Sequence, residues 1–221
     1  MKKNINIMIM GPQGSGKGTQ ARLLAKKYDL QMFETGSVLR EIASQDTEIG
    51  RKINEIMHVK GNIIPWDIMK EKILGQKLDG LDENKGIIFD GTPRIIEEAE
   101  FWEKKLKEVG RKVDYIFYVD VPKEESIKRL SVRKLCRENG HPLIVGKNLK
   151  EEDTKCPICG SEVYRREDDT PEKILKRLEW SGKLISPVLE YYKNKGMLIK
   201  VNGVNSVEEV FKEILEKIEQ T

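Results

Sequence analysis

Gly11-Pro12-Gln13-Gly14-Ser15-Gly16-Lys17-Gly18-Thr19 sets four glycines, a lysine and a threonine within nine residues. The spacing is a glycine, four residues, then Gly-Lys. Glycines so placed let successive backbone N–H groups turn toward one point and hold an anion. A helix starting near Thr19 adds its positive N-terminal end. Lys17 brings a charge that reaches the β- and γ-phosphates of a nucleotide. Gly14, Ser15, Gly16, Lys17, Gly18 and Thr19 are therefore expected to bind a nucleoside triphosphate. A glycine-rich turn with a chance lysine is the plainer alternative, and it leaves the threonine and the regular spacing unexplained. One departure stands out: Gly18 follows Lys17, and the hydroxyl comes one residue later.

A second chemistry lies in Cys136, Cys156 and Cys159, all within 24 residues. Cys156-Pro157-Ile158-Cys159 is a C-x2-C turn that offers two thiolates to one Zn²⁺. The fourth ligand is His141 or Asn139; zinc prefers nitrogen or sulfur, which favours His141 over the amide at C-x2-N spacing. Reduced structural cysteines with His141 merely in a loop are the other reading. A zinc here is structural, because a short segment has too little core of its own and metal can hold it folded. A third group is cationic. Arg129 and Arg133 are spaced for one helix face, and Arg177 lies in a later helix. Asp90 ends an apolar run, where an acidic residue near Mg²⁺ belongs in a parallel sheet.

The elements that must position these groups follow from periodicity. Strands are expected at Asn4–Met10, Leu30–Phe33, Gly86–Asp90, Val113–Val119 and Met197–Val201. Helices are expected from near Thr19 to Tyr28, from Thr35, over Glu48–Met57 and Asp67–Leu78, and from beyond Arg94 to about Val109. Further helices are expected over Lys123–Leu135, from Pro171 with an interruption or bend near Ser186-Pro187, and over Val207–Ile218. Alternating strands and helices predict an α/β fold with a parallel sheet covered by helices on both faces. Residues 1–33, 65–134 and 171–221 form the expected core, 34–64 a small helical insert, and 135–170 a zinc-bearing lid.

The 221 residues carry 40 basic and 37 acidic side chains, a net charge of +3. That balance argues against general affinity for nucleic acid or membranes. No apolar run approaches a membrane span, and Met1-Lys2-Lys3 leads straight into the phosphate loop, unlike a secretion signal. Three clustered cysteines point to a reduced, cytoplasmic protein.

Taken together the motifs resemble the adenylate kinases, nucleoside monophosphate kinases with a long zinc-bearing lid. The resemblance runs over essentially the whole chain. It rests on the loop Gly11–Thr19 with Gln20, on Thr35-Gly36-Ser37-Val38-Leu39-Arg40, and on Asp90-Gly91-Thr92-Pro93-Arg94. Arg129, Arg133, Arg166-Glu167-Asp168-Asp169 and Arg177 complete it. It implies ATP + AMP ⇌ 2 ADP with Mg²⁺, near Thr19 and Asp90, in a monomer that needs neither nucleic acid nor membrane. Phosphoryl transfer demands positioning and neutralised charge more than a nucleophile. The resemblance assigns Arg40 and Arg94 to the monophosphate's phosphate, with Thr35, Gly36, Ile64, Gly91 and Glu98 around AMP. Lys17, Arg129, Arg133, Arg166 and Arg177 would surround ATP and the transferred group, and Asp168 and Asp169 would hold the lid arginines.

Three positions depart from the family's pattern. Thr92 replaces an aromatic, Ser37 an acid, and Glu98 a glutamine that reads adenine. A carboxylate accepts from the adenine 6-amino group but cannot donate to N1 unless protonated. It also suits guanine's N1–H and N2–H, or the cytosine amine, so GMP or CMP is the alternative to AMP. A third reading is a nucleotide-gated zinc ribbon that binds nucleic acid through Lys147, Lys150, Lys155, Arg165 and Arg166. Glu151, Glu152, Asp153 and Glu162 dilute that field, and no aromatic stripe accompanies it.

Overall fold

The computed structural model describes residues 4–59, 64–70, 80–166 and 169–220. The first part of the chain forms β1 (Ile7–Met10), α1 (Lys17–Tyr28), β2 (Gln31–Glu34), α2 (Thr35–Ala43) and α3 (Glu48–Asn54), with a π-helical turn over Glu55–Val59. Next come α4 (Trp66–Met69), β3 (Ile87–Asp90), α5 (Ile96–Glu108), β4 (Tyr115–Asp120) and α6 (Lys123–Ser131). Three short strands, β5 (Arg133–Cys136), β6 (Pro142–Ile144) and β7 (Val163–Tyr164), precede α7 (Pro171–Asn194), β8 (Leu198–Asn202) and α8 (Val207–Glu219).

The main sheet runs β2–β3–β1–β4–β8, every pairing parallel. Its central strand reads Ile-Met-Ile-Met with all four residues buried. Alternation at period two sends those side chains into opposite layers. Met8 and Met10 join Phe33, Phe89, Trp102, Val188 and Tyr192 on one face. Ile7 and Ile9 join Leu24, Ile88, Phe117 and Ile214 on the other. Burial on both sides explains why the strand is continuously apolar. The carboxyl ends of β1, β3 and β2 lie together: Ile9 pairs with Asp90, and Asp90 with Glu34. That edge carries the glycine loop and is where ligands sit in open α/β sheets.

β5 is the middle strand of a separate antiparallel sheet, β6–β5–β7. Among the described residues beneath it, only Cys136, Leu143, Leu149 and Cys156 are buried together, with Val145 and Val163 against them. So small a core supports the expectation that something besides apolar contact holds this segment.

Several expected elements differ. β1 begins at Ile7, not Asn4; Asn6 instead bonds sideways, its N–H and side-chain amide reaching Asp114 Oδ2 and Lys112 O at 2.8 Å each. The helix expected to Met57 is α-helical only to Asn54, and its widened last turn keeps Ile56 and Met57 packed on the core. The helix expected to Leu135 stops at Ser131. Val132 O there accepts Val145 N–H at 3.0 Å, and Arg133 pairs with Ile144. Arg133 therefore stands on a strand, not four residues along a helix from Arg129; long-range pairing overrides the local pattern. α7 runs through Pro187 without interruption. A helical proline removes one N–H, and burial of Val188 and Tyr192 holds the flanks. Of the helix expected over Asp67–Leu78, the part beyond Lys70 lies outside the described residues, as do Glu167 and Asp168.

Candidate active site

The glycine loop becomes a cradle through its backbone. Gly16 caps α1 at φ 92°, a left-handed conformation that side-chained residues avoid. Its carbonyl accepts Thr19 N–H at 3.0 Å and Gln20 N–H at 3.1 Å. Gly18 is explained by its neighbour: a Cβ there would lie 3.0 Å from Asp90 Oδ2. The missing side chain lets the acidic end of β3 approach the first turn of α1, and the hydroxyl is displaced to Thr19. Lys17 Nζ donates to Pro12 O at 3.3 Å. Burial pushes the Lys17 ammonium's pKa down, while Asp90 pulls it up and Arg94 and Arg133 press it down again. Burial raises the Asp90 carboxyl, opposed by Lys17. Asp90 accepts no hydrogen bond from the described residues, and its Oδ2 faces the first turn of α1, which carries Thr19.

The arginines gather from five elements and their flanks. Arg94 Nε donates to Gly91 O at 2.8 Å, and burial lowers its pKa, with Arg40 and Arg166 adding repulsion. Arg133 is lowered first by burial, with Asp169 opposing and Arg166 and Arg177 contributing. Mutual repulsion among Arg40, Arg94, Arg133, Arg166 and Arg177 means that these charges share one region with Lys17. Arg129 sits to one side against the loop, donating to Gly14 O at 3.3 Å and from Nε to Glu125 at 2.6 Å. Such a concentration of guanidinium groups suits phosphate oxygens, which accept bidentately.

Carboxylates already engage several of these cations. Asp169 takes Arg133 through both nitrogens at 2.7–2.9 Å and Arg177 at 2.7 Å. Arg40 donates to Glu34 at 3.2 Å and to Ser37 Oγ at 2.9 Å. Thr35 and Ile64 are buried, Ile64 within the main core. Gly36 and Gly91 lie directly against the guanidinium groups of Arg40 and Arg94. Glu98 is buried at 5% exposure and turned into the fold, its Oε2 accepting Arg94 N–H at 2.6 Å and Thr92 O–H at 3.1 Å.

Sequence reasoning missed Arg22 and Glu34. Arg22 reads as part of a solvated helix face. It instead donates to Gly18 O at 3.2 Å and to Gly140 O, on the turn before His141, at 3.3 Å, with Glu34 3.7 Å away. Its distinguishing partner at Gly140 is 118 residues away, so local spacing carries no signal for it.

In the second sheet Cys136, His141, Cys156 and Cys159 bring one ligand atom each to within 4.8 Å of one another. Ligands of a tetrahedral zinc stand about 3.8 Å apart; Cys136 Sγ–Cys159 Sγ at 3.3 Å and Cys156 Sγ–His141 Nδ1 at 3.5 Å lie a few tenths of an ångström inside that value. Burial pushes the Cys136 thiol up, yet hydrogen bonds from Ser161 and from the Asn139 and His141 backbone outweigh it and hold it down to about 5. The donor set fits a structural zinc. Asn139 donates its backbone N–H to Cys136 Sγ at 3.3 Å, a supporting contact. Cys156→Ala is expected to reduce zinc, measured by atomic emission, well below one per chain and to lower Tm by several degrees. Full zinc content in the variant would remove Cys156 from the ligand set.

A family model described as adenylate kinase matches residues 9–197. The adenylate kinase of Archaeoglobus fulgidus is 39% identical over 217 residues, 97% of this chain and 99% of that one. That of Caldicellulosiruptor bescii is 36% identical over 214 residues, covering 97% and 99%. That of Staphylococcus epidermidis is 34% identical over 212 residues, covering 96% and 98%.

Proposed function

The chain belongs to the adenylate kinase family, and from that premise we propose how its residues carry out reversible phosphoryl transfer from MgATP to AMP, giving two ADP. The observation that supports the assignment is the convergence of Lys17, Arg94, Arg133, Arg166 and Arg177 on the loop that ends β1. Two nucleotides facing each other bring several negative charges together, and only a dense cationic site can hold them.

Gly14, Ser15, Gly16, Gly18 and Thr19 bind the ATP phosphates through their N–H groups. Lys17, Arg129 and Arg133 draw off charge from the β- and γ-phosphates. AMP lies against Thr35, Gly36 and Gly91, its phosphate gripped by Arg40 and Arg94, with Arg166 and Arg177 between the two nucleotides. Glu98, with the backbone at Ile64, reads the base. Thr19 and Asp90 would hold the Mg²⁺ that accompanies ATP, and that ion supplies charge neutralisation to the phosphates. Fixed in line, an AMP phosphate oxygen attacks the γ-phosphorus as the bond from that phosphorus to the β–γ bridging oxygen breaks and ADP leaves, while the arginines stabilise the spread of charge on the equatorial oxygens.

Residues 34–64 form the monophosphate-binding insert and 135–170 the lid, with 1–33, 65–134 and 171–221 as core. Lid closure excludes water, which otherwise competes as acceptor. The structural zinc, on Cys136, His141, Cys156 and Cys159, stiffens the lid. The reading places the protein in a reducing cytoplasm, where those thiols stay free to hold metal. No helix among the described residues is long and apolar enough to cross a membrane. The reaction needs no second copy of the chain and no nucleic acid.

The test is turnover of AMP, GMP, CMP and UMP with MgATP. AMP is expected to give the highest kcat/KM by about tenfold or more. ATP consumption at an equal rate with no second nucleotide would sink the reading.

A further inference from the structure

Three buried side chains form a one-way hydrogen-bond relay behind the monophosphate site. Trp102 Nε1–H donates to Thr92 Oγ1 at 2.8 Å, and Thr92 Oγ1–H donates to Glu98 Oε2 at 3.1 Å. The direction is forced. An indole N–H can only donate, so the threonine oxygen accepts it and sends its single proton onward. Trp102 and Thr92 are 0% exposed, so neither has water as an alternative. Arg94 N–H donates to the same Oε2 at 2.6 Å. Two donors saturate that oxygen. Glu98 Oε1 takes no hydrogen bond from the described residues, and it is not among the buried side-chain atoms left without a partner.

We infer that Thr92 is a specificity-determining residue: by occupying Glu98 Oε2, it leaves a single carboxylate oxygen for the base. This rests on the assignment of Glu98 to the base made above. A carboxylate with both oxygens open matches the parallel N1–H and N2–H donors of guanine. With Oε2 filled, that paired match is lost, while the lone 6-amino donor of adenine still finds Oε1. The threonine in place of an aromatic and the glutamate in place of a glutamine thus act as one unit. The hydroxyl cancels the preference for guanine that an unrestrained carboxylate would bring. Burial raises the Glu98 carboxyl's pKa against the pull of the Arg94 charge, which further disfavours a fully charged acceptor pair.

The test is the ratio of GMP to AMP affinity, by titration calorimetry, and the same ratio of kcat/KM with MgATP. Thr92→Val keeps the shape and removes the donor; the GMP:AMP ratio is expected to rise about tenfold. Thr92→Ser restores the hydroxyl and is expected to return the ratio to the wild-type value, which loss of packing alone would not do. Glu98→Gln gives a second arm. Thr92 O–H and Arg94 N–H fix the amide oxygen in the Oε2 place, so the NH₂ meets the base and repels guanine N1–H. The ratio is then expected to fall about tenfold, and this arm stands even if Thr92→Val does not fold. An unchanged ratio in a folded Thr92→Val protein, or in Glu98→Gln, overturns the inference. Variants that shift monophosphate binding as stated, in a protein whose wild type transfers no phosphoryl group, overturn the proposed reaction alone. Binding of neither monophosphate overturns both.

Discussion

Lys17→Ala is expected to lower kcat/KM about 10³-fold, the cost of removing a preorganised charge from a transition state, while the folded protein survives. Among the described residues the Lys17 ammonium makes one hydrogen bond, to Pro12 O at 3.3 Å, and the loop is otherwise held by its own backbone, including Thr19 and Gln20 N–H on Gly16 O. The ammonium is therefore expendable for structure and not for charge. Half-buried, it has lost part of its hydration, so its attraction for a phosphate is stronger than at a wet surface. Arg40, Arg94, Arg129, Arg133 and Arg177 cannot substitute, because each is directed by its own carbonyl or carboxylate partner. The checks are steady-state kinetics and a circular-dichroism melt. Turnover within tenfold of wild type would exclude Lys17 from the chemistry.

Asp169→Asn is expected to cost about 3 kcal/mol of stability, or about 6–12 °C in Tm. Asp169 is 4% exposed in its side chain, against 15% for Arg133 and 10% for Arg177. The amide keeps the volume but loses the charge between two guanidinium groups that repel each other. One of the two oxygens that together accept four charge-assisted bonds is lost as well. Because the cluster is largely dry, added salt should recover little of the loss. A polyphosphate that spans the same arginines supplies the missing anion, so ATP should raise the variant's Tm more than that of the wild type. A Tm within 2 °C of wild type would show that Asp169 does not hold the arginines.

The central sheet was readable because strands buried on both faces are written as apolar runs, as in Ile7–Met10 and Ile87–Phe89. The phosphate loop was readable because its function lies in backbone, which glycine spacing reports directly. His141 could be chosen over Asn139 as the better donor from ligand chemistry alone. What escaped depends on contacts between distant segments. Arg133 carries a helical spacing from Arg129, yet Ile144 claims it for a strand. Arg22 looks solvated until the turn at Gly140 arrives, 118 residues on. Glu98 reads as a lone substitution until Trp102 and Thr92 are seen to form a hydrogen-bonded chain to its Oε2.

The pairing of Arg40 with Glu34, and of Arg133 and Arg177 with Asp169, bears on what the site ignores. A carboxylate tethered next to its cation competes at an effective concentration of order millimolar or above. Free sulfate or orthophosphate, arriving alone and at lower levels, loses that contest at each arginine separately. A nucleotide wins because sugar and base anchor it while its phosphates make the exchange. On that reading the internal acids would act as a filter, turning away stray inorganic anions that an unguarded cluster of guanidinium groups would collect.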